Sequence, residues 1–121
     1  MSDATRIATT YIDTWNAADE AQRRRLLQQH WTNDATYVDP LMRGAGPQQI
    51  SGLVGAVHER FPGFRFALIG TPNGHGDYVR LSWSLGPDGR EAPIAGSDVV
   101  HLRDGKIAGV VGFIDRAPAA A

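Results

Sequence analysis

The chain contains no cysteine, which rules out a disulfide framework, a thiolate nucleophile and a cysteine-ligated zinc site. It also lacks an excess of either charge. Twelve basic residues stand against 13 acidic ones, for a formal net charge of -1, too weak a field to gather phosphates or anionic lipid. Nucleic acid is therefore not an expected partner. No apolar run approaches the roughly eighteen residues a membrane span needs, so no membrane partner is expected either. Met1 to Ala4 carries neither a basic start nor an apolar stretch, and the expected compartment is the cytoplasm. The four histidines, His30, His58, His75 and His101, have no metal-binding spacing, no phosphate-loop lysine follows the glycines of Gly70 to Asp77, and no serine sits in a G-x-S-x-G elbow. Neither a metal nor another cofactor is expected.

What the chain does have is the make-up of one globular domain. Its 121 residues are 42% hydrophobic and 21% charged, enough to bury a single core. The expected domain covers 1–116, followed by a frayed tail over 117–121. Ser2 or Asp3 caps a helix whose stripe is Ile7, Tyr11 and Trp15 and which ends near Asn16. A second helix is predicted from Asp19 to about Trp31, with Arg23, Arg24 and Arg25 on a solvated face. Asn33 and Asp34 mark a turn before a short strand, Ala35 to Asp39, stopped by Pro40. Gly44 to Gly46 reads as a loop, and Pro47 opens a third helix with Ile50, Leu53, Val54 and Val57 as its stripe, reaching Arg60. Four strands follow, Phe64 to Thr71, Tyr78 to Leu85, Ala92 to Arg103 and Ile107 to Asp115, joined by turns at Pro72-Asn73-Gly74, Pro87-Asp88-Gly89 and Asp104-Gly105. Helices before a run of hairpins argue for an α+β domain, its helices packed on one face of an antiparallel sheet.

Three polar side chains fall in apolar register, where burial costs free energy unless the group finds a partner or a task. In the last strand but one, Ile94, Gly96, Asp98, Val100 and Leu102 share a face that is apolar but for one carboxyl. A carboxyl among aliphatic side chains is pushed towards neutrality and can then donate a hydrogen bond; the other reading of Asp98 is a buried acid satisfied by backbone or water. Tyr11 lies between Ile7 and Trp15 on the inner stripe of the first helix, so its hydroxyl needs a partner, which structural tyrosines also find. Asp39 is aimed by Pro40 with its oxygens free, as a general base requires, although an Asp-Pro turn facing solvent fits the same pattern.

These residues resemble the nuclear-transport-factor-2-like superfamily, and within it the SnoaL-like and ketosteroid isomerase-like proteins. The resemblance is carried by Tyr11 to Asn16, by Asp34 to Pro40, by the Gly-Pro helix start before Ile50 and by Asp98 to Ile107. It implies a cone of three N-terminal helices on a curved, mixed but mainly antiparallel sheet, closed around an apolar pocket and often dimerising through the sheet. The pocket walls expected from the first half of the chain are Trp15, Tyr37, Met42, Leu53 and Val57. Those expected from the strands are Phe64, Phe66, Leu81, Trp83, Val100 and Phe113.

In ketosteroid isomerases an Asp before Pro shuttles a proton beside a carbonyl while a Tyr and a neutral Asp hold the enolate oxygen, a pattern the three residues match. The resemblance therefore implies Asp39 as base with Tyr11 and Asp98 as an oxyanion clamp, acting on a small hydrophobic, steroid- or polyketide-like molecule. The tyrosines that support the helix-one Tyr in such isomerases are replaced by Trp31 and Val54. An acidic group that polyketide cyclases place mid-strand is replaced by Gly112. The alternative is a non-catalytic module that binds a small hydrophobic ligand or dimerises, since one fold hosts many functions.

Overall fold

The computed structural model describes residues 3–118. Its first helix, α1 (Asp3–Asn16), buries the predicted stripe of Ile7, Tyr11 and Trp15. Ser2 and residues 119–121 of the expected tail lie outside the described residues. Helix α2 (Glu20–His30) is capped by Asp19, whose carboxylate accepts the Gln22 N–H at 2.9 Å. Trp31 begins strand β1 (Trp31–Val38) instead of ending the helix. Arg23 departs from the solvated face expected of it and is 7% exposed. Its guanidinium donates to the Ala17 and Ala18 carbonyls, both at 3.0 Å, and to Ser51 Oγ at 3.1 Å. It thus satisfies the carbonyls of the short α1–α2 connection, just beyond the C-terminus of α1, and ties that connection to α3.

β1 runs straight through the expected turn at Asn33 and Asp34 and shows only a pairing irregularity between Trp31 and Thr36. The chain reverses after Pro40, because Asp39 Oδ1 accepts the Leu41 and Met42 N–H groups and Asp39 N–H donates back to the Met42 carbonyl. That turn lays the expected loop against β1 as a short strand, β2 (Arg43–Ala45), before helix α3 (Gly46–Arg60). Only two helices therefore precede the first strand, and α3 is interleaved after β2.

The remaining strands are β3 (Phe64–His75), β4 (Tyr78–Pro87), β5 (Ile94–Arg103) and β6 (Lys106–Arg116). Pro72 to Gly74 is not the predicted turn; it lies inside β3 at a register shift between Ile69 and Asn73. Asp104 and Gly105 do make the expected tight hairpin, with φ of 53° and 79°, as a primed turn requires. The sheet order is β2-β1-β6-β5-β4-β3, antiparallel except for β1 beside β6. Bulges between β3 and β4 and between β5 and β6 bend the strands, since an extra residue on one side increases local twist.

Helices and the inner sheet face enclose one core. Its aromatic centre is continuous: Trp15 lies 5.1 Å from Tyr37 and 5.6 Å from Phe66, which lies 5.4 Å from Trp83. On the opposite face, Val38, Val111 and Phe113 are exposed. Among the described residues no helix is long and apolar enough to cross a membrane.

Candidate active site

Asp98 projects from the centre of β5 onto the inner face, paired with Leu81 on one side and Gly112 on the other. It is 2% exposed. Tyr11, presented by α1 across the core, donates its hydroxyl to Asp98 Oδ2 at 2.5 Å. Removal from water pushes the Asp98 carboxyl up to about 6, a rise that hydrogen bonds from Tyr11 and Trp83 partly oppose. Burial drives the Tyr11 phenol well above its ordinary value, and the adjacent Asp98 charge adds to the rise. Tyr11 is therefore a neutral donor committed to Asp98.

Asp39 stands where β1 ends, held extended by Pro40. The expectation that its oxygens are free is corrected by the structure: Oδ1 accepts Leu41 N–H at 2.8 Å and Met42 N–H at 2.9 Å, and Oδ2 accepts the Tyr37 hydroxyl at 2.7 Å. Two residues apart on one strand, Tyr37 and Asp39 share a face, and the ring can reach the carboxylate. Burial, and then the bond to Asp39, raises the Tyr37 phenol far above its ordinary value.

Gly112 joins the two pairs. A Cβ added there would lie 2.8 Å from Asp98 Oδ1, 3.3 Å from Tyr37 Oη and 3.3 Å from Asp39 Cβ. The missing side chain thus lets all three groups approach the β6 backbone more closely than any Cβ would allow, as interior strand glycines often do. Asp98 Oδ1, the nearest of them, is buried without a hydrogen-bond partner.

A model of the SnoaL-like domain matches residues 8–110. The chain belongs to the SnoaL-like domain family. A candidate isomerase of the SnoaL-like family from Agrobacterium tumefaciens strain C58 is 45% identical, with 95% of this chain and 99% of that one covered at a TM-score of 0.91. A candidate SnoaL-like polyketide cyclase from Jannaschia sp. CCS1 is 16% identical over 93% of this chain and 85% of that one, with a TM-score of 0.74. A candidate ketosteroid isomerase from Kribbella flavida is 17% identical over 98% and 82%, with a TM-score of 0.71. These last two share the fold. No curated protein matches the sequence.

In this SnoaL-like chain Tyr11 and Asp98 are in contact, and Asp39 and Asp98 both stand close against Gly112. Trp15, Tyr37, Leu81, Trp83 and Val100 are buried on the inner side, and Met42, Leu53, Val57, Phe64 and Phe66 are partly buried against the same core. Phe113 is the exception. It is 52% exposed on the outer face, because Gly112 is the β6 residue opposite Asp98 and its neighbour must point away. Asp115 likewise faces out and accepts from Ser97 Oγ at 2.6 Å.

Sequence reasoning assigned Tyr37 to the pocket wall and overlooked its hydroxyl, although its two-residue spacing from Asp39 was a usable signal. It also treated Gly112 only as a missing acid. Trp31, in place of a supporting tyrosine, backs Tyr11 with its ring at 5.8 Å and donates its indole N–H to Thr14 Oγ1 at 3.2 Å.

Proposed function

We propose that this protein is a cofactor-independent enzyme that moves a proton next to a carbonyl of a small, largely apolar substrate. The observation that carries this reading is the close approach of Asp39, Tyr37 and the unpartnered Asp98 Oδ1 to one another around Gly112. Asp39 Oδ2 keeps a lone pair beyond the one Tyr37 uses, and it takes a proton from the carbon beside the carbonyl. The C–H electron pair moves onto the carbonyl oxygen as an enolate. Neutral Asp98 donates to that oxygen from Oδ1, because Oδ2 is occupied by Tyr11. Tyr11 is then a positioning residue that orients Asp98, a change from the direct clamp role the resemblance implied. Asp39 returns the proton to a second carbon, so the substrate is isomerised with no net gain or loss of atoms.

The test uses a panel of β,γ-unsaturated ketones, following the absorbance of the conjugated product. Asp39→Asn is expected to lower kcat at least about 100-fold, the usual worth of a positioned base. A non-catalytic ligand-binding module is the competing reading, favoured by the hydrogen bonds that already occupy both Asp39 oxygens. Equal inertness of wild type and Asp39→Asn across the panel would decide for it.

A further inference from the structure

On the outside of the helical layer, the α1–α2 connection, α2 and α3 border a surface pocket of about 490 Å³ that includes none of Tyr11, Tyr37, Asp39 or Asp98. That volume is in the range of small-molecule sites. The wall is built of very small residues, Ala18 on the connection and Gly52, Gly55 and Ala56 on one face of α3, with Arg23 and Glu59 as its charged groups. His58, also in the wall, donates Nε2–H to the Trp15 carbonyl at 2.8 Å.

Glycine is a costly choice inside a helix, because it gives up more backbone freedom than alanine. Close packing does not require it at Gly52, where an added Cβ would meet nothing within 4 Å. At Gly55 the added Cβ would meet Arg23 alone, 3.2 Å from Nη2 and 3.8 Å from Cζ. The bare backbone of α3 therefore leaves this edge of the guanidinium uncovered.

Arg23 has donors left over there. A guanidinium carries five N–H groups. Nε donates to Ser51 Oγ, and Nη1 donates to the Ala17 and Ala18 carbonyls, so the two N–H groups that remain are both on Nη2, the nitrogen beside Gly55. All three acceptors are neutral. Although Arg23 is buried, no carboxylate among the described residues forms an ion pair with it, and Glu59 lines the same pocket without bridging to it. A cation taken out of water is costly without a counter-charge.

We propose that this pocket binds a small organic monocarboxylate, with its carboxylate on Arg23 Nη2 and its apolar body along the Gly52–Ala56 face of α3. Two N–H groups on one nitrogen suit a single carboxylate by charge-assisted hydrogen bonding. A dianion would find one cation here and the opposing charge of Glu59. The site is separate from the candidate active site and does not depend on proton transfer there.

Full-length ¹⁵N-labelled protein is titrated at pH 7 and constant ionic strength with sodium benzoate, its neutral isostere benzamide, and sulfate. Benzoate is expected to shift the Arg23 Nε–H and the Gly52 and Gly55 amide resonances saturably, and to bind at least about tenfold more tightly than benzamide or sulfate. Gly55→Ala places a methyl group against Nη2 while favouring the helix, so its thermal midpoint should not fall below that of the wild type. It should weaken benzoate about tenfold or more. Glu59→Gln, at an exposed position, should tighten benzoate about threefold by removing a like charge. Shifts that do not saturate, shifts confined to the neighbours of Tyr11 and Asp98, benzamide or sulfate binding as tightly as benzoate, or unchanged affinity in folded Gly55→Ala would each overturn the proposal.

Discussion

Asp98 ties stability to pH in a direction opposite to that of most surface carboxylates. Its folded value of about 6 lies above the ordinary 3.8, so between those pH values the folded chain holds a proton that the unfolded chain has released. Stability therefore falls as pH rises from about 4 to about 6, by about 3 kcal/mol in all, and is flat above that. Asp98→Asn, which keeps an acceptor for Tyr11 and cannot ionise, should abolish this slope. Urea denaturation across pH is expected to show the variant more stable than wild type at pH 7 and no more stable at pH 4. If neutral Asp98 is the enolate donor, kcat/KM should also decline as pH rises through about 6, and the variant should lose that limb. The inward register of Asp98 was readable by counting along the strand. Its partner was not, since Tyr11 is 87 residues away.

At the scale of elements, Arg23 shows where pattern reading fails. A run of three arginines on one helix reads as a wet face, yet Arg24 meets Glu20 at the surface while Arg23 enters the α1–α2–α3 junction. The deciding facts are the Ala17 and Ala18 carbonyls of the α1–α2 connection and Ser51 on α3, none of which lies on α2 itself and so none of which registers in its helical repeat. Arg23→Ala should cost about 2–4 kcal/mol, as the loss of a buried charged group with three hydrogen bonds does, whereas exposed Arg25→Ala should stay within about 0.5 kcal/mol. Thermal or chemical denaturation of the two variants checks the contrast. The same limit explains β2 and the long β3. Glycines and Pro72 signal turns locally, but backbone groups beside a ready partner strand are satisfied by pairing with it.

For the whole molecule, the outer face of the sheet remains to be explained. Val38 pairs with Val111, Val111 with Val99, and Phe113 stands two residues further along β6, so the exposed apolar side chains are contiguous. We propose that a second copy of the chain covers this face as a homodimer. Analytical ultracentrifugation is expected to find a dimer for the wild type and a monomer for Phe113→Lys, and a monomeric wild type would dispose of the idea. Position 113 also shows how a one-residue error in register moves a side chain from pocket wall to outer surface.

Local chemistry was enough to dictate the helices, the hairpin at Asp104 and Gly105, and the inward faces of Tyr11 and Asp98, because 3.6- and two-residue periods and turn preferences act between near neighbours. Only tertiary structure decided that Tyr11 is spent on Asp98, that Tyr37 closes on Asp39, and that Gly112 lets the two pairs come close together. Each of those depends on distances between groups on different elements, and such distances exist only once the sheet has bent and the helices have packed against it.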